Sequence, residues 1–84
     1  MDLDQEFIKK LTSDLEALRH PTRDICITQI RNDKYLDIEF KNGHSLSILL
    51  SNFRYDEILI SKDVHKAFVA YIVDKEENNE SNLH

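Results

Sequence analysis

Residues 24–50 read DICITQIRNDKYLDIEFKNGHSLSILL, and this stretch decides the fold. Ile25, Ile27, Thr28 and Ile30 form a largely β-branched run, and Asn32-Asp33 follows it as a turn signal. Leu36, Ile38 and Phe40 then alternate with Tyr35, Asp37 and Glu39. After Lys41-Asn42-Gly43 the alternation resumes, with Leu46, Ile48 and Leu50 on one phase. A period of two, broken by short turns, predicts three antiparallel strands in a meander.

The register follows from the side-chain period, because a slip of one residue sends every apolar side chain to the wrong face. A two-residue Asn42-Gly43 loop sets Phe40 beside Ser45 and mismatches the faces. A three-residue loop with Gly43 left-handed in a bulge pairs Phe40 with His44 and Ile38 with Leu46, aligning the apolar sets. For the first hairpin, a two-residue Asn32-Asp33 loop pairs Arg31 with Lys34 and Ile27 with Ile38. The second face then carries the rows Cys26–Glu39–Ser45, Thr28–Asp37–Ser47 and Ile30–Tyr35–Leu49. The last row is apolar at one end of an otherwise polar sheet face, which makes Ile30, Tyr35 and Leu49 the candidate partner-binding residues.

Working outward, Phe7, Ile8, Leu11, Leu15 and Leu18 recur at helical spacing and predict an amphipathic helix over 3–18. Asp2 or Asp4 caps its start, and Pro21 stops it. Residues 51–63 are harder to assign. Residues 57–60 read either as a short fourth strand or as a loop pinned to the core by Phe53, Tyr55 and Ile58. Ser61 or Asp63 caps a second helix through residue 75, with Val64, Phe68, Tyr71 and Ile72 as its buried stripe. The expected fold class is therefore α+β. It is a three- to four-stranded antiparallel meander with an N-terminal and a C-terminal helix on one face, in the order α-β-β-β-(β)-α. One domain covers 1–76, and the polar, acidic residues 77–84 read as a disordered tail.

An 84-residue chain has room for one domain, with 40% apolar residues to build a core and 32% charged. The net charge of −5 arises from 11 basic and 16 acidic residues, which argues against affinity for phosphate. Single glycine, proline and cysteine residues leave no linker signature and no internal disulfide. That points to a reducing, cytoplasmic setting. No apolar run is long enough for a membrane span, so no membrane partner is expected.

Chemistry-bearing motifs are weak. His20, His44, His65 and His84 do not stand at ligand spacing from one another or from Cys26, so no metal site and no cofactor are expected. His44 and His65 read as solvated positions. Cys26 sits mid-strand beside Glu39 in the expected register, where a carboxylate disfavours the thiolate, and it reads as half-buried and inert. The lone glycine is committed to a hairpin, so no phosphate loop exists. The reading is a small cytosolic non-enzymatic protein-binding module, accessory, adaptor or inhibitor/antitoxin-like, acting through the open sheet face. Its partner is another protein or a second copy in a homodimer. The alternative is a nucleic-acid-binding domain using Arg19, Arg23, Arg31, Lys34 and Arg54 as a basic edge near the turns.

Overall fold

Gly43, at φ 95°, closes the second hairpin in the left-handed region, as the three-residue loop requires. Its N–H donates to the carbonyl of Phe40 at 3.0 Å, and the Phe40 N–H donates to the carbonyl of His44 at 2.8 Å. The computed structural model describes residues 2–81. In chain order these form α1 (Leu3–Ala17), β1 (Thr22–Ile30), β2 (Asp33–Phe40), β3 (Ser45–Leu49), a 3₁₀ turn (Leu50–Phe53), α2 (Tyr55–Ile60) and α3 (Lys62–Ser81). The strands make one antiparallel sheet in the order β1-β2-β3, and the fold is α+β.

Between β2 and β3 the predicted register holds, with Ile38 opposite Leu46 and Leu36 opposite Ile48. The first hairpin differs. Its loop is Arg31-Asn32, Ile30 faces Asp33, Ile25 faces Ile38 and Ile27 faces Leu36. The slide of two positions keeps every residue on its expected face but changes every neighbour. It favours packing, because the expected register set polar Gln29 beside buried Leu36, whereas Gln29 now faces Lys34. Arg31 takes a φ of 59° to make the loop, and a bulge between Thr22 and Asp24 absorbs the irregularity at the other end.

Asp2 caps α1 by accepting the Asp4 N–H at 3.0 Å. The helix ends in a Schellman motif. The His20 N–H reaches the Leu15 carbonyl at 2.8 Å and the Arg19 N–H reaches Glu16 at 3.1 Å, with Arg19 left-handed at φ 68°. Pro21 follows and blocks continuation.

Residues 57–60 are not a fourth strand. The chain makes its 3₁₀ turn, reverses at left-handed Arg54 and winds into α2. Burial at Leu50 and Ile58 fixes this segment. Phe53 and Tyr55 add edge-on rings, Phe53 at 5.3 Å from Phe68 and Tyr55 at 5.3 Å from Phe7.

Ser61 caps α3, its hydroxyl accepting the Val64 N–H at 3.3 Å. The helix runs on to Ser81, so residues 77–81 are helical where an irregular tail was expected, and 82–84 lie outside the described residues. Helices α1 and α3 run in the same direction. Phe7 near the start of α1 meets His65 near the start of α3 at 5.9 Å between ring centroids, and His20 just beyond α1 lies 3.6 Å from Glu77. Phe7, Leu11 and Leu15 from α1 join Phe68, Val69 and Ile72 from α3 over the sheet residues Leu36, Ile38, Phe40 and Ile48. On the other sheet face Cys26, Thr28, Glu39, Ser45 and Ser47 are exposed among the described residues.

Candidate functional site

The apolar row expected on the open sheet face does not form as drawn. Thr28, not Ile30, stands opposite Tyr35, and Leu49 is on the far side of Tyr35. Ile30 is 57% exposed beside Asp33 at the turn, two positions from that row, and Tyr35 and Leu49 are half-buried. Elsewhere this face offers Asp24, Asp37 and Glu39 around a shallow depression. Thr28 donates its hydroxyl to Asp37 at 2.9 Å. Cys26 is exposed rather than half-buried, and its neighbours across the ladders are Asp37 and Ser47 instead of Glu39 and Ser45.

The arginines and lysine considered for nucleic acid do not form one edge. Arg19 and Arg23 lie at the start of β1, while Arg31 and Lys34 lie at its far end, roughly 27 Å away along a nine-residue strand. Three of the five face carboxylates: Arg23 to Glu39 at 3.9 Å, Lys34 to Asp4 at 3.3 Å and Arg54 to Glu57 at 3.3 Å.

Three polar ties join the layers instead. At the β1–β2 turn end, the Tyr55 hydroxyl donates to Asp4 Oδ1 at 2.7 Å while Lys34 takes Oδ2, and the Lys34 ammonium lies 5.5 Å from the Tyr55 ring centroid. Burial, with the Asp4 carboxylate next to it, pushes the Tyr55 phenol far above its ordinary range. In the helical layer, His65 Nε2 lies 2.9 Å from Asp14 Oδ2. At the β2–β3 turn, Glu76 Oε1 accepts the Asn42 side-chain amide at 2.8 Å and lies 2.8 Å from His44 Nδ1. Glu76 Oε2 is buried with no hydrogen-bond partner among the described residues. Neither His65 nor His44 is the solvated residue that its sequence position suggested. His65 is 4% exposed, and the His44 side chain is 20% exposed. No group of three or more metal-ligating side chains occurs among the described residues.

The most distinctive surface is on the outer side of the helices. Stripes at four- and seven-residue spacing, Lys10, Asp14 and Ala17 on α1 and Lys62, Lys66 and Val69 on α3, line a depression of about 360 Å³. Ala17 and Ala70 are too short to fill the space between the helices there, which leaves Leu18 and Val69 as its apolar walls. A second depression, of about 320 Å³, shares Lys10, Lys62 and His65 and continues past Phe7 to Leu3 and Ile60. Among the described residues four large hydrophobics are exposed, and three of them line these depressions: Leu3 at 56%, Leu18 at 52% and Ile60 at 81%. Periodicity within each helix does not single out this groove, because it depends on which helix faces meet.

Among the described residues no helix is long and apolar enough to cross a membrane. No family model, curated protein or solved structure matches the chain.

Proposed function

We propose that the chain is a small non-enzymatic module that binds another protein through the groove between α1 and α3. One observation carries this reading: three exposed large side chains, Leu3, Leu18 and Ile60, line adjoining depressions on one side of the molecule. Isolated exposed hydrophobics need no explanation, but a grouped set around a concave apolar floor is the usual mark of a contact surface. The titratable pairs support the same reading, since His65–Asp14 and Glu76–His44 join one element to another. A homodimer closed through this groove about a two-fold axis would bring two copies of the lysine cluster Lys10, Lys62 and Lys66 into one interface. A different protein is therefore the better partner.

The test compares three forms of the chain in cross-linking and affinity capture: the natural sequence, Leu18→Glu with Ile60→Glu, and Tyr35→Asp with Leu49→Lys. Circular dichroism first establishes that each is folded. A partner lost by the first pair and kept by the second supports the groove. A partner kept by the groove pair and lost by the sheet pair moves the contact to the open face.

A further inference from the structure

We infer that the groove takes the apolar face of an acidic amphipathic helix, laid lengthwise along α1 and α3. This rests on the protein-binding reading above and adds the chemistry of the occupant. Shape is the first argument. From Leu3 to Leu18 the groove follows fifteen residues of rise along α1, roughly 22 Å, or about four helical turns. Two adjoining depressions walled on one side by α1 and on the other by α2 and the first turns of α3 make a position that a further helix can fill. Ala17 and Ala70 let a backbone approach closely at the Leu18 end, and Leu3 and Ile60 flank the other end.

Charge is the second argument. The chain carries −5, yet Lys10, Lys62 and Lys66 all border this groove. Lys10 is 3.7 Å from Asp14, whereas Lys62 and Lys66 make no ion pair among the described residues; Glu6 and Asp14 are the acids that share the groove with them. Three lysines against two acids, Glu6 and Asp14, leave the groove cationic on an otherwise acidic molecule, which favours a partner whose apolar stripe is flanked by carboxylates. Such rim pairs set which sign of partner is accepted more than they set affinity. A nucleic acid fits less well, because the floor offers bases no exposed aromatic face on which to stack.

The probe is a synthetic peptide of about 15 residues with leucines at i, i+3, i+4, i+7 and i+11 and glutamates on the flanks, beside a counterpart with every glutamate replaced by lysine. Binding is read by fluorescence anisotropy at low and physiological salt, and located by backbone amide shifts in the labelled chain. The acidic peptide is expected to bind roughly tenfold more tightly than the basic one, weakening with salt. Its shifts should centre on Lys10, Ala17, Lys66 and Ala70. The double variant Lys62→Glu, Lys66→Glu should reverse the preference.

Equal binding of both peptides, binding of neither, or shifts centred on Tyr35 and Leu49 would overturn the inference. Concentration-dependent self-association abolished by Leu18→Glu would also overturn it while leaving the protein-binding reading intact. Competition for the groove by a single-stranded RNA oligonucleotide that binds it more tightly than either peptide would overturn both.

Discussion

His65 Nε2 of α3 lies 2.9 Å from Asp14 Oδ2 of α1, and this contact ties the two helices across the floor of the groove. The imidazole is 4% exposed and its ring also meets Phe7 edge-on at 5.9 Å. Replacing His65 by alanine therefore removes both a packed ring and the partner of Asp14. The expected cost is about 2–3 kcal/mol in urea unfolding. A double-mutant cycle with Asp14→Ala should give a coupling of about 1 kcal/mol, because the Asp14 side chain is partly solvated. Strict additivity of the two losses would show that the contact contributes nothing.

Glu76→Ala strips two turn residues of their acceptor, since Asn42 and His44 both meet the same carboxylate oxygen. A loss of about 2 kcal/mol is expected, with Glu76→Gln losing roughly half as much because it keeps one carbonyl oxygen in place. Chemical denaturation of both variants checks the order. If alanine is no worse than glutamine, the tie does not hold the far part of α3.

Tyr55 gives the pH dependence. Its phenol ionises well above the unfolded-chain value of about 10, so folding favours the protonated form. That contribution is complete below pH about 10 and is lost as the pH rises toward the folded value. Ultraviolet difference spectra at pH about 11 should show the same phenolate absorbance in the natural chain and in Tyr55→Phe while both remain folded. Extra phenolate in the natural chain would mean that the Asp4 bond is not maintained. At neutral pH Tyr55→Phe should cost about 1–2 kcal/mol, as expected for a hydrogen bond to a charged acceptor.

Arg19 holds a left-handed φ of 68° where helix ends favour glycine. A side chain in that region costs roughly 1–2 kcal/mol, and glycine gives back roughly 0.5–1 in unfolded-chain entropy. Arg19→Gly should therefore gain roughly 0.5 kcal/mol, or about 2–4 °C in melting temperature. Arg31→Gly, at the same kind of position in the first hairpin loop, should behave alike. A melting point lowered by either change would locate an arginine contact that matters more than its backbone.

Much of this architecture is legible in the residues. Alternation in 35–40 and 45–49 sets the faces, and Gly43 fixes the second loop, because only a left-handed residue closes that bulge. The first loop misleads, since Asn32-Asp33 has turn chemistry while the structure places the strained residue at Arg31, which has none. Helix α2 is six residues long, too short to display a period. His65 and Glu76 continue the buried phase of Phe68, Val69 and Ile72, three residues before and four after. The signal for them was present, but His65 read as solvated, and Glu76 lay just past the helix end expected at residue 75. The groove was not legible. It depends on Ala17 and Ala70 bordering one depression, a juxtaposition of two helices that periodicity within each does not specify.

The strand order β1-β2-β3 repeats the order of the chain, so every ladder joins sequence neighbours and the sheet can zip outward from its two turns. Loop-closure entropy for those contacts is small. By contrast, Asp14–His65 and Asp4–Tyr55 each bridge 51 residues, and α1 meets α2 and α3 through contacts that distant in sequence. Topology thus predicts that the meander forms early in folding and that α3 docks on α1 late. In kinetic terms, lesions at the turns should slow refolding, whereas lesions along the helix pair should chiefly hasten unfolding.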